Sequence, residues 1–301
     1  MRGRRLLVLV VVTAVLVWLM RTGRTPKPLH DIHEAPNSSP DLGSAFDPAR
    51  CGTVKGTVRW VGSPPTVPTI SLTQVPKPPD GKNQIGNPNT PRVATDGSLA
   101  GAIVFLTGVE TKRSKPWDHP RARVEVTRST LIIRQGSAEQ SCGVALAGSA
   151  VNLLSREPAS SEPALHSIRG RGAAFFTQML PVSDRPVSRV LSEPGIVELS
   201  SGSGYYWLRA YLAVSEHPYV AVTGADGAFQ FEQMPDGEYE IHCWKANWHI
   251  DRLERDPESL GPVRLYFRPP VERRKRVTVN AGKSESIDFT LTTTDFEPSG
   301  K

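Results

Sequence analysis

Cysteine is scarce in this chain: Cys51, Cys142 and Cys243 are the three among 301 residues, and no two stand in a C-x-x-C pair. That spacing excludes a cysteine-built zinc site and a dithiol redox motif. Outside the cytoplasm it allows one disulfide plus one free thiol, with the pairing left open. Catalytic signatures are missing too. There is no nucleophile with a base at a recognisable spacing, no carboxylate pair in a Gly-flanked turn and no phosphate loop. Residues 200–204, Ser-Ser-Gly-Ser-Gly, look superficially like a serine nucleophile turn, but the strand-turn-helix context is absent and a flexible loop is expected. The sequence therefore predicts no enzyme and no catalytic residue.

Charge of one sign is also lacking once the excess is located. The formal net charge is +6, from 36 basic and 30 acidic side chains. Arg2, Arg4, Arg5, Arg21, Arg24 and Lys27 precede the first acidic residue, Asp31, and account for all of it. A formally neutral body supplies no field to attract phosphates, which excludes nucleic acid as the expected partner. The one basic run, Arg273, Arg274, Lys275 and Arg276, is expected at a solvated strand edge.

Long apolar runs are confined to the start. Residues 6–20 are fifteen uncharged, mostly apolar positions between Arg5 and Arg21. As a helix this run covers about 22 Å of the roughly 30 Å hydrocarbon core, and Trp18 with snorkelling arginines can close the gap. No A-x-A-like cleavage site follows. Residues 1–21 are thus expected to be an uncleaved signal anchor, a transmembrane helix that makes the membrane a partner, with a cleaved signal peptide as the alternative. Three basic residues on each side leave the orientation to the usual behaviour of such signals, with the body extracytoplasmic, in the periplasm or at the cell surface. Residues 22–50, with five prolines among Ser, Asn, Asp and Gly, read as a flexible stalk.

Beyond residue 50 apolar side chains recur with period two in short runs bounded by Gly, Pro, Asn and Asp, and no convincing amphipathic helix is found except a turn at 251–259. Strands are expected at 54–61, 102–106, 124–127, 131–134, 144–154, 195–199, 207–214, 219–223, 229–231, 239–244, 263–267, 276–279 and 286–291. The length exceeds one ordinary sandwich. The expected fold is all-β: two consecutive Greek-key-type sandwiches at 51–214 and 215–295, joined near Val214, with a tail at 296–301. Residues 64–91 form a proline-rich excursion.

The passage from His217-Pro218-Tyr219 through Asp226-Gly227-Ala228-Phe229 to Met234-Pro235-Asp236-Gly237-Glu238-Tyr239 resembles the carboxypeptidase-regulatory-like, transthyretin-type sandwich module. Asp226-Gly227 is a type I′ hairpin signal, and Pro235-Asp236-Gly237 makes a second turn. With the preceding residues 207–214 the passage is similar to a family of exported bacterial proteins, some labelled methylamine-utilisation proteins. In them a plastocyanin-like (cupredoxin) domain runs directly into such a module. The resemblance implies that scaffold and, for intact members, a copper site of two histidines, one cysteine and one methionine. Type 1 copper needs those donors.

Here the implied positions are degenerate: Ser201 (or Ser200) stands for the cysteine, Tyr205 for one histidine and Leu208 for the methionine, while His166 is kept. No cofactor is therefore expected; copper held by His166, alone or with His217, is the lesser alternative. His217, His242, His249 and Cys243 are weighed as a replacement metal site and set aside, because neighbours on a strand point to opposite faces. Tyr205, Tyr206, Trp244 and Trp248 are a candidate binding surface for a glycan or protein partner, against the plainer reading of packing between the sandwiches. The expectation is a non-catalytic structural or binding protein; the alternatives are a copper-binding or electron-transfer protein with an unorthodox site including His166, and a carbohydrate- or cell-wall-binding module.

Overall fold

The computed structural model describes residues 46–72, 81, 83–157, 164–181 and 185–297. The expected anchor, nearly all of the stalk and the end of the tail lie outside them. Among the described residues all regular structure is β-strand apart from three 3-10 turns, and no helix is long and apolar enough to cross a membrane.

Strands form where apolar residues alternate with polar ones. In Cys51–Trp60 the side chains of Val54, Val58 and Trp60 are buried and those of Lys55 and Arg59 are exposed. This strand is the centre of a sheet. It pairs antiparallel with Ala228–Pro235 and parallel with Ser284–Ser286 and Phe289–Leu291. A second sheet runs Val220–Val222, Ile103–Thr107, Gly237–Lys245, Val271–Val279, all antiparallel. Phe229, Phe231, Val54 and Phe289 of the first sheet meet Val104, Leu106, Ile241 and Val277 of the second in one core.

Two five-stranded sheets make the other sandwich. One is ordered Cys142–Leu146, Arg209–Ser215, Gly195–Ser201, His166–Gly172, Phe176–Leu180; the other Val187–Leu191, Ser149–Ser155, Arg123–Val126, Leu131–Gln135, Ala138–Gln140. Val124, Ile133, Leu153, Ile168, Leu199 and Leu212 fill the space between them.

The four sheets stack, with a third core of Ile103, Val144, Tyr211, Ala213, Val220 and Trp244 between the two sandwiches. Strands buried on both faces lose their polar alternation and read as continuous apolar runs. Ile103 and Phe105 pack on the middle core while Val104 and Leu106 pack on the outer one. Likewise Leu212 and Val214 face the inner core, and Tyr211 and Ala213 the middle one.

Strand pairing departs from the sequence reading in its order. The sandwiches are not consecutive along the chain: strands Cys51–Trp60 and Ile103–Thr107 pair with strands after residue 216, so the inner sandwich, residues 123–215, is inserted within the outer one. The sheets do not divide at Val214. Period-two patterning marks strands without naming their partners, and adjacency in sequence was the wrong guide.

Several local features differ as well. The expected strand 144–154 is two strands, turned at Gly148, whose φ of +78° suits glycine. Asp226-Gly227 is not a type I′ hairpin. Gly227 alone has positive φ, its N–H donates to Gly224 O at 3.1 Å, and the turn carries the chain from one sheet of the outer sandwich to the facing one. The turn expected at 251–259 begins instead as strand Ile250–Arg255, paired with Pro262–Phe267; the Tyr266 ring carries the Arg252 guanidinium at 4.0 Å and the Arg264 guanidinium at 4.9 Å. Phe296, assigned to the tail, is 1% exposed and stacks 5.7 Å from Trp60. The basic run 273–276 is exposed on the edge strand Val271–Val279, as expected. Within the excursion, Asn87 Nδ2 donates to Trp248 O and Asn89 Nδ2 to Asn247 O, each at 2.8 Å.

Candidate functional site

His166 opens the strand His166–Gly172 and is fully buried. Its Nε2 lies 2.7 Å from Glu157 Oε1, which also accepts the Arg128 backbone N–H at 2.6 Å. A carboxylate accepts, so the imidazole proton belongs on Nε2. His166 Nδ1 and Glu157 Oε2 are buried without hydrogen-bond partners. The Tyr205 ring lies 5.2 Å from the imidazole and 5.6 Å from the Trp207 ring, and Trp207 Nε1 donates to Arg128 O.

The other implied ligand positions contribute little to a metal. Ser201 pairs across the sheet with Ile168, and its Oγ accepts the Ser203 N–H at 3.1 Å. Ser200 and Ser201 are the buried end of strand Gly195–Ser201, so the expected loop starts only after them. Leu208 is 2% exposed within the inner core. One imidazole already engaged by a carboxylate, hydroxyls and an aliphatic chain do not match the thiolate, two imidazoles and thioether of type 1 copper. Among the described residues no three His, Cys, Asp or Glu side chains cluster as metal ligands.

The remaining histidines are spread out. His242 is stacked on Phe105 at 4.8 Å and held by Glu272 Oε1 at Nδ1 (2.7 Å) and by Glu240 Oε2 and Thr107 Oγ1 at Nε2. Its neighbour Cys243 faces the outer core, and burial pushes its thiol up to about 12. His217 lines an apolar cavity of about 360 Å³ with Phe105, Val109 and Ile196. Burial lowers its imidazole to about 4. His249 Nε2 is buried and unpartnered beside Trp248. All three cysteines are buried free thiols, so no disulfide forms among them.

The proposed aromatic surface is an interior. Tyr205, Tyr206, Trp244 and Trp248 are 6%, 4%, 6% and 3% exposed, which leaves no face for a sugar or a partner. Tyr205 and Tyr206 belong to the inner core; Trp244 packs on Tyr211 at 5.1 Å between the sandwiches; Trp248 lies 4.2 Å from Phe296 in the outer core. Only Trp244 fits the reading of packing between sandwiches.

Sequence reasoning passed over Lys245. It closes the strand Gly237–Lys245, is 7% exposed, and its Nζ donates to Ala100 O at 3.1 Å and Gly101 O at 2.9 Å. The signal was a lone cation in the run Ile241-His242-Cys243-Trp244-Lys245-Ala246. Lysine is almost never fully buried unless paired. No protein-family model matches the chain, and no curated protein is significantly similar to it in sequence.

Proposed function

We propose that this chain is a non-catalytic, membrane-anchored extracytoplasmic protein whose inner sandwich is a cupredoxin-like scaffold without a type 1 copper centre. The outer, transthyretin-like sandwich embraces that scaffold, and the whole serves a structural or binding role. The observation that carries the reading is the His166–Glu157 contact of 2.7 Å. It commits the one retained ligand to a carboxylate, while Leu208 sits in the apolar core. The export segment supports the address.

A second reading, a copper-binding protein with an unorthodox site, is favoured by one observation, the unpartnered Nδ1 of His166. Adding Cu(II) to the full-length protein in detergent, then dialysing and measuring metal content and visible absorption, separates the two. Less than a tenth of an equivalent of copper is expected. Stoichiometric copper that is lost in His166→Ala overturns the main reading and establishes the second.

A further inference from the structure

Where the inner sandwich packs on the outer one, a cavity of about 260 Å³ is lined by Lys245, Arg92, Cys142, Tyr211 and Asn89. An ammonium has three N–H donors. Two of those of Lys245 go to the carbonyls of Ala100 and Gly101, which leaves one. Arg92 is exposed and brings a guanidinium to the same wall. One Arg92 Nη and Lys245 Nζ each lie 3.3 Å from the point a Cβ on Gly101 would occupy. The two cationic nitrogens are therefore separated by no more than twice that distance.

Among the described residues no carboxylate is ion-paired with either Arg92 or Lys245. Burial holds the Lys245 ammonium below its usual range and the Arg92 charge lowers it further, opposed by no acid but the thiols of Cys142 and Cys243, so an anion beside it would restore the ammonium. Glu139, the one carboxylate on the wall, is ion-paired with Arg134. Tyr211 and Cys142 do not supply negative charge: the phenol donates to Asn89 Oδ1 at 3.1 Å and the thiol to Gly101 O at 3.6 Å. Buried charges in folded proteins are paired or coordinated, since desolvation is otherwise uncompensated. Two neighbouring basic side chains, neither paired with a carboxylate and both opening on a cavity, are the arrangement that an exogenous anion completes.

We propose that this cavity binds a small oxyanion, the carboxylate or phosphate group of a small metabolite, between the Arg92 guanidinium and the remaining N–H of Lys245. A guanidinium fork takes two oxygens of a planar or tetrahedral anion, and the ammonium acts as a point charge beside it. A water occupies about 30 Å³ of liquid volume, so the space suits a ligand of several heavy atoms and excludes a polyanionic chain. Pro88, Ile132 and Ala246 on the same wall would take an apolar remainder. The assignment does not depend on the copper reading.

The test is calorimetric titration and thermal unfolding of the full-length protein in detergent with sodium succinate or sodium phosphate, each against sodium chloride at equal ionic strength. One saturable site and a rise in Tm with at least one of the two anions are expected, and which anion acts distinguishes carboxylate from phosphate. Arg92→Ala, at an exposed position, should fold and weaken binding at least tenfold, and Lys245→Met should abolish it. If Lys245→Met fails to fold, Arg92→Ala decides. A Tm rise no larger than that in chloride, or unchanged affinity in Arg92→Ala, overturns the proposal.

Discussion

His166 Nε2 and Glu157 Oε1 meet at 2.7 Å, with the imidazole wholly buried and the carboxylate side chain 11% exposed. Removing one partner of such a pair strands the other. His166→Ala should lower the unfolding free energy by about 3 kcal/mol in urea titrations. Glu157→Gln keeps an acceptor for Nε2 and should cost about 1 kcal/mol. Equal, negligible losses for both would mean that the pair is solvated.

Trp248 rests 4.2 Å from Phe296 and 5.8 Å from Trp60. Truncation to alanine opens the outer core, and a loss of about 4 kcal/mol is expected for a buried tryptophan. An exposed stacking residue would show almost none. Chemical denaturation of Trp248→Ala against the parent, followed by far-UV circular dichroism, makes the comparison.

Stability should also depend on His217. Its imidazole is lowered from 6.5 to about 4 by burial. Above pH 6.5 neither state binds the proton, and between 6.5 and 4 only the unfolded chain does. Stability therefore falls as pH drops through that window, by about 3 kcal/mol in full. Denaturation at pH 7 and pH 5 should show a smaller loss in His217→Gln than in the parent.

Thiol chemistry offers a further check. Cys51, Cys142 and Cys243 are buried, and burial is the leading cause that raises each thiol. The thiolate is the reactive form. Folded protein should react slowly with a disulfide reagent at pH 7, and protein unfolded in guanidinium should titrate three thiols without prior reduction. Two missing thiols would reveal a disulfide.

The strand content was legible because period two and turn residues are local signals: 54–61, 102–106, 131–134 and 239–244 each fall on a strand. His166–Gly172, Phe176–Leu180 and Val187–Leu191 escaped notice. Residues 166–172 carry Arg169, Gly170, Arg171 and Gly172, which obscure alternation, and Gly170 is there because the Phe176 ring occupies the place of a Cβ. Pairing was illegible, since Cys51–Trp60 bonds to partners more than 170 residues away. At the candidate site, His166 and Tyr205 were singled out in the sequence without their relation being fixed, and their rings lie 5.2 Å apart. Glu157 was not, because no motif spacing ties it to His166.

The insertion of one sandwich within the other also sets an order of assembly. Every strand of the inner sheets lies between residues 123 and 215, so that unit can close while the remainder of the polypeptide is still being made. The strand Cys51–Trp60, although made earlier, must wait for residues 228–235 and then 284–291 before its two edges are satisfied. Contacts of such separation form slowly, and an unpaired strand edge in the interval invites aggregation. Loss of the last dozen described residues would therefore bare the edge of Cys51–Trp60 that Phe289–Leu291 covers, on the first of the described strands.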